Sequence, residues 1–186
     1  MLNGQKIVVV MPAYNAARTL RQTYEEVMAQ GIVDLVIVVD DASQDETVAV
    51  ARTLDRVEVE VHPMNRGYGA NQKTCYRHAL AAGGDIIIMI HPDYQYTPRL
   101  SYRAFSRRLL ERLPLEANSD DFVFDNQVLA QVISLGCSIG EVTCPARYLP
   151  ESSSINFRRS VRYGLGCLAT AFRYRLARWG VVRPIA

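Results

Sequence analysis

Three short β-branched runs, Lys6 to Met11, Leu35 to Val39 and Ile86 to Ile90, each stop abruptly in polar residues, and this recurrence constrains the fold more than any other feature of the chain. Continuous rather than alternating apolarity over so few residues marks strands covered on both faces, as in the middle of a parallel sheet. Between the first two runs, Leu20, Tyr24, Val27 and Met28 recur at helical spacing, predicting a core-facing helix over 17–30 that Gly31 ends. A strand, a crossover helix and a second strand form a right-handed βαβ unit with both strand ends on one edge. The expected class is therefore α/β, a mostly parallel sheet flanked by helices. Asn15 is the expected cap of the first helix, and Ser43 with Glu46 fits a capping box for a second over 45–54. Val57 to Val61 alternates and reads as a half-exposed strand at a sheet edge. Further helices are expected over 70–82 and 122–135, and Tyr102 to Arg108 is read as leading into a short amphipathic one.

A parallel sheet gathers the residues that follow its strands on one rim, where ligands of open α/β sheets bind. Pro12 to Asn15, Asp40-Asp41 and His91 to Gln95 would meet there. His91, Asp93 and Gln95 stand at i, i+2 and i+4, which points all three the same way if the chain stays extended. Imidazole with oxygen donors suits Mn or Mg, with part of the shell left for phosphate oxygens. An ordinary polar loop after a strand fits the same spacing. Asp40 and Asp41 can accept hydrogen bonds from base or ribose groups, and a cation at Asp93 would neutralise a diphosphate. Asn65 to Asn71 is a glycine-bearing loop opening a helix. Gly69 there would allow close approach of a ligand, although the pattern lacks the third glycine of a dinucleotide fingerprint and a plain turn explains it as well.

A chain of 186 residues, 49% hydrophobic and 22% charged, has enough apolar material for one domain with a sizeable core. The net charge of +2 gives no reason to expect nucleic-acid binding, and the basic C-terminal stretch has no recognition motif beside it. Nearly all the positive charge is arginine, which suits phosphates but is also what a GC-rich genome produces. Cys75, Cys137, Cys144 and Cys167 show neither CxxC pairing nor framework spacing, so reduced thiols and a cytoplasmic location are expected. Met1 runs into the first strand without a cationic leader, and no apolar run reaches the length of a membrane span. From Ser152 to Ala186 no acidic residue occurs, whereas Arg158, Arg159, Arg162, Arg173, Arg175, Arg178 and Arg183 do. With Leu165, Leu168, Phe172, Leu176 and Trp179 at helical spacing, 163–186 reads as a basic amphipathic helix. It could rest on the inner face of the cytoplasmic membrane, on the domain itself, or on a second subunit.

Val-Val-Met-Pro-Ala-Tyr-Asn (9–15), Val-Asp-Asp-Ala-Ser-Gln-Asp (39–45), Asn-Arg-Gly-Tyr-Gly-Ala-Asn (65–71) and His-Pro-Asp-Tyr-Gln (91–95) resemble, in order, the signatures of family 2 glycosyltransferases of the GT-A (Rossmann-like) fold. The bacterial branch similar to dolichyl-phosphate mannosyltransferases looks nearest. The resemblance implies a metal-dependent, hexosyltransferase-like enzyme. It would move a sugar from a nucleotide-diphosphate sugar, with inversion, to a polyprenyl phosphate or cell-envelope glycan. A non-catalytic nucleotide-sugar-binding or scaffold domain of the same fold is the alternative. A sugar nucleotidyltransferase would want a glycine-rich, arginine-bearing loop after the first strand, and Pro12 to Asn15 is not one.

By the resemblance Pro12, Ala13, Tyr14, Asn15 and Asp41 line the nucleoside pocket, joined by Asp40, Gly69 and Asn71 as candidate nucleotide-binding residues. Asp93 and Gln95 belong to a DxDxQ-type metal motif, with His91 where its first Asp usually stands. Asp121, with Asp120 as fallback, is the expected catalytic base, and Arg103 the expected phosphate-binding residue. The catalytic domain is expected over 1–157 and the basic tail over 158–186, with a family segment apparently missing at the 100/101 junction. Peripheral membrane contact and a homo-oligomer are further expectations.

Overall fold

The computed structural model describes residues 1–93, 103–142 and 157–182. Five strands form one sheet: β1 (Ile7–Ala13), β2 (Leu35–Asp40), β3 (Val57–Val61), β4 (Ile86–Met89) and β5 (Arg103–Ser106), in the order β3-β2-β1-β4-β5. The first four run parallel and β5 is antiparallel to β4. Around them lie α1 (Leu20–Met28), α2 (Thr47–Arg52), α3 (Tyr68–Ala81), α4 (Arg107–Leu110), α5 (Phe124–Ser134) and α6 (Phe157–Arg178).

Period-2 geometry divides the apolar runs between two cores. Val8, Val10, Ile37, Val39, Ile87 and Met89 face Cys75, Tyr76 and Ala79 of α3 and Phe124, Val128 and Val132 of α5. Ile7, Val9, Met11, Val36 and Val38 face Leu20 and Val27 of α1 and Ala51 of α2. All of β1 is buried, as the central strand of a two-sided sheet must be. β3 holds the expected edge position with an alternating surface. Pro12 sits two residues beyond the last β1–β4 pair, Val10 with Met89, where a missing N–H takes nothing from that ladder.

Three expectations are corrected. Residues Arg103–Ser106 are a strand, because their backbone pairs with Ile86–Met89; only Arg107–Leu110 is helical. α1 begins at Leu20, not near residue 17, because Asn15 at φ 51° turns its side chain away from the helix, where its Oδ1 accepts Gln44 N–H at 2.9 Å. The Ser43 and Glu46 capping box does not form, since Ser43 Oγ accepts Asn15 N–H at 2.8 Å and Asp45 Oδ1 accepts Thr47 N–H at 3.0 Å. The suspected gap at 100/101 lies outside the described residues.

α6 packs on α5. Tyr163 Oη accepts from Asn126 Nδ2 at 2.9 Å, Thr170 is buried, and a Cβ at Gly166 would stand 2.4 Å from Val123 Cγ2, so only glycine permits this approach without a shift. Phe157, Val161, Leu165, Leu168 and Phe172 point outward and are exposed. At 100° per residue they fall on the face opposite Tyr163, Gly166 and Thr170.

Candidate functional site

β2 and β4 lie on opposite sides of β1, so the strand order reverses there, the place where open α/β sheets form a crevice at their carboxyl ends. The loops after β1, β2 and β4 all open onto that rim.

On the β1–β2 side the two loops are laced together. Besides the two Asn15 bonds, Ala16 N–H donates to Thr47 Oγ1 at 2.8 Å and Ala17 N–H to Asp45 Oδ2 at 3.1 Å. Asp45 holds its proton less tightly than an ordinary Asp: partial burial raises its pKa, but the bonds from Thr47 and Ala17 outweigh that and lower it. Ala13 is buried and Tyr14, at 52% exposed, projects from the rim. Asp41 accepts from Arg66 N–H at 2.8 Å, Gly67 N–H at 2.9 Å and His62 Nδ1 at 2.8 Å, which closes the 65–67 turn over the strand end. Asp40 differs. Its Oδ2 accepts Ser43 N–H at 2.9 Å, but Oδ1, in a side chain 1% exposed, has no hydrogen-bond partner among the described residues. A buried acceptor without a donor costs about 1–3 kcal/mol, so the position favours a ligand that brings an N–H or O–H.

Gly69 and Asn71 serve the fold. A Cβ on Gly69 would stand 2.3 Å from the Ser119 carbonyl oxygen, and its N–H donates to the Asp120 carbonyl at 2.8 Å, so the first turn of α3 is capped by protein. Asn71 Nδ2 donates to Val39 O at 3.0 Å and Ala13 O at 3.4 Å, bridging the ends of β1 and β2. Both residues, expected beside the nucleotide, thus also tie α3 to the 119–120 turn and to the ends of β1 and β2.

On the β4 side, His91 is partly buried and Asp93 exposed. Gln95 lies outside the described residues. Tyr68 Oη is 3.0 Å from His91 Nε2 and donates to Asp125 Oδ2 at 2.9 Å. Asp125 Oδ1 accepts from Gln72 Nε2 at 3.1 Å and pairs with Arg103 Nη1 at 3.3 Å. The Tyr68 ring stacks on His91 at 5.4 Å and meets Phe122, tilted by 33°, at 4.9 Å. Burial pushes the His91 pKa below its ordinary value; nearby Arg103 adds to this, against the opposing pull of Asp93 and Asp125. His91 is thus held toward the neutral form that binds metals.

Of the two carboxylates expected as base, Asp120 pairs with buried Lys73 at 2.8 Å, and Asp121 Oδ1 accepts the adjoining Phe122 N–H at 2.9 Å. The carboxylate that joins the His91 cluster is Asp125, one turn further on, with Tyr68 and Gln72. Sequence reading passed over all three, and the available signal was Asp125, the one charged residue of its helix, in the first turn. The donor set of His91 and Asp93 fits a divalent cation that completes its shell with diphosphate oxygens and water. Among the described residues no three His, Cys, Asp or Glu side chains converge.

A family model described as glycosyl transferase family 2 matches residues 8–108, from the second residue of β1 through β5. The chain belongs to that family. An uncharacterized protein of Methanocaldococcus jannaschii is 35% identical over 98 residues, 53% of this chain and 40% of that protein. This chain therefore spans well under half of that relative. Among solved structures, mannosyl-3-phosphoglycerate synthase from Rubrobacter xylanophilus has a TM-score of 0.71 at 17% identity, over 97% of this chain and 76% of the other. Glucosyl-3-phosphoglycerate synthase from Mycobacterium tuberculosis, in complex with Mn2+, UDP and glucosyl-3-phosphoglycerate, has a TM-score of 0.66 at 19% identity, over 96% and 81%. These likenesses show the GT-A fold.

Proposed function

We propose that the rim binds a nucleotide-diphosphate sugar and that the protein transfers the sugar, with inversion, to a polyprenyl phosphate or a cell-envelope glycan, as in the branch similar to dolichyl-phosphate mannosyltransferases. The observation that carries the donor site is the buried Asp40 Oδ1, without a hydrogen-bond partner among the described residues, at the reversal of strand order. It accepts an N–H or O–H of the base or ribose. Pro12, Ala13 and Asn15 form the wall of the nucleoside pocket and Tyr14 covers it, while Asp41 keeps the 65–67 turn closed beside it. His91 and Asp93, with Gln95, hold Mn or Mg, and a bound cation offsets charge on the departing diphosphate. Arg103, which pairs with Asp125 here, turns to the donor phosphates.

For a hydroxyl acceptor Asp121 is the base, adjoining Phe122 in the ring stack over His91, and Asp120 is its fallback. A lipid phosphate is already ionised near neutral pH and needs no base. The fold neighbour solved with Mn2+ and UDP supports the pairing of cation and nucleotide. No helix among the described residues is long and apolar enough to cross a membrane. The exposed stripe of α6, edged by arginines and free of acidic residues, rests peripherally on an anionic membrane surface that presents the acceptor. Replacing Leu165 and Leu168 by Glu should abolish flotation with anionic vesicles. If it instead splits a dimer, the stripe belongs to a second copy.

The first test is calorimetric titration with UDP and with GDP, each with and without Mn2+, repeated on Asp93→Ala and Asp40→Ala. Binding of one nucleotide should require the metal, vanish in Asp93→Ala and weaken about tenfold or more in Asp40→Ala. Metal-independent binding without sugar transfer would favour the scaffold alternative, and no binding of either nucleotide would end the donor-site reading.

A further inference from the structure

His62 is buried behind the rim and grips both acidic residues at the end of β2. Its backbone N–H donates to the Asp40 carbonyl at 2.9 Å, and its ring Nδ1 donates to Asp41 Oδ1 at 2.8 Å. An ionised carboxylate only accepts, so Nδ1 carries a proton. On the far side of the ring, Nε2 lies 3.1 Å from Thr74 Oγ1 of α3. That hydroxyl suits either charge state of the ring. It donates to a neutral imidazole, or it accepts from a charged one while its own proton goes to the Ala70 carbonyl, 3.2 Å away. The bond to Asp41 is kept in both.

Side chains alternate along an extended strand, and in β2 Ile37 and Val39 face α3 while Val36 and Val38 face α1 and α2. Continued past the strand end, the alternation sends Asp40 to the α1–α2 face and Asp41 to the α3 face. Their partners agree. Ser43, before α2, donates to Asp40 Oδ2, whereas His62, Arg66 and Gly67, on the way to α3, donate to Asp41. A rotation of the Asp40–Asp41 peptide would turn both side chains, so holding Asp41 on one face holds the direction of Asp40 Oδ1 on the other. From this geometry we infer that His62 is a positioning residue for the donor nucleotide: by clamping Asp41 to α3 it aims the buried Asp40 Oδ1 at an N–H or O–H of the base or ribose. The inference rests on the donor-site reading proposed above. His62 is 4% exposed and acts through Asp41, not by touching the ligand.

Two amides at position 62 separate the clamp from packing. The N–H of Asn stands near the place of Nδ1, and that of Gln near the place of Nε2. Asn is also the smaller, so lost packing alone would make His62→Asn the worse variant, whereas loss of the clamp makes His62→Gln the worse. Both are titrated calorimetrically with UDP and with GDP in the presence of Mn2+. For the nucleotide that wild type binds, His62→Gln should weaken affinity about tenfold or more, and His62→Asn should stay within about threefold of wild type. Combining His62→Gln with Asp40→Ala should lose no more than Asp40→Ala alone, because the clamp works through Asp40. One readout needs neither variant nor ligand: the imidazole nitrogen shifts of 15N-labelled wild type should show His62 Nδ1 protonated. A pyridine-like Nδ1, His62→Asn binding more weakly than His62→Gln, or losses that add in the double variant would overturn the clamp and leave the donor site standing. Failure of wild type to bind either nucleotide would remove both.

Discussion

The two sides of the rim are built by different chemistry. On the β1–β2 side, side-chain oxygens accept backbone N–H groups across two loops: Ser43 from Asn15, Thr47 from Ala16, Asp45 from Ala17, Asp41 from Arg66 and Gly67. Among the described residues, Asp40 Oδ1 is the buried side-chain oxygen there that has no hydrogen-bond partner. On the β4 side the bonds join one side chain to another, Asp125 to Tyr68 to His91, and the donors and acceptors are ionisable groups. Backbone lacing fixes the shape of the first side, whereas the second is held through its side chains. A donor molecule would be recognised by the first and activated at the second.

Substitutions can break this contrast in graded ways. Gly69→Ala should have the largest effect, because its methyl group would meet the Ser119 carbonyl and Phe124 Cβ at 2.3 and 2.9 Å. Separating α3 from the 119–124 turn should cost about 3 kcal/mol in urea unfolding, and it moves Tyr68, so the β4 cluster should loosen while the β1–β2 lacing persists. Thr47→Ala does the converse. It leaves the buried Ala16 N–H without an acceptor, should cost about 1–2 kcal/mol, and should weaken nucleotide binding with no change in the His91 nitrogen spectrum.

Asp45→Asn sharpens the comparison least in size and most in sign. The carboxyl titrates below its ordinary 3.8 in the folded protein, so the unfolded chain binds the proton first as the pH falls. Its contribution is fully present above that value and is lost as the pH drops through the lower, folded one. Urea midpoints measured down the acid limb should therefore fall less steeply in Asp45→Asn than in wild type. An unchanged slope would mean that the Ala17 and Thr47 bonds do not select the carboxylate.

The rim was largely legible in the sequence because parallel strands turn local patterns into shared geography. Runs of continuous apolarity identify central strands, and whatever follows them must share an edge, as Asp40 and Asp41 after β2 and His91 and Asp93 after β4 do. Gly69 was legible as a glycine, but its close approach to the 119–124 turn was not, because that contact joins segments far apart in the chain. β5 escaped because four residues carry little periodic signal and their pairing partner, β4, is established by tertiary contact.

Composition and order thus determined the α/β class, the doubly covered strands, the family and the identity of the rim, since each follows from local periodicity and motif spacing. What only the tertiary structure decided is which polar atoms are already satisfied. Asp40 and Asp41 are neighbours in sequence, yet one is saturated by a turn 25 residues away and the other keeps a buried oxygen without a partner among the described residues. Asp120, Asp121 and Asp125 are close in sequence too, and of these three Asp125 accepts from Tyr68, because helix phase and the packing of α5 on α3 set which carboxylate reaches that hydroxyl. Hydrogen bonding depends on distance and angle between segments far apart in the chain, and no local pattern encodes it.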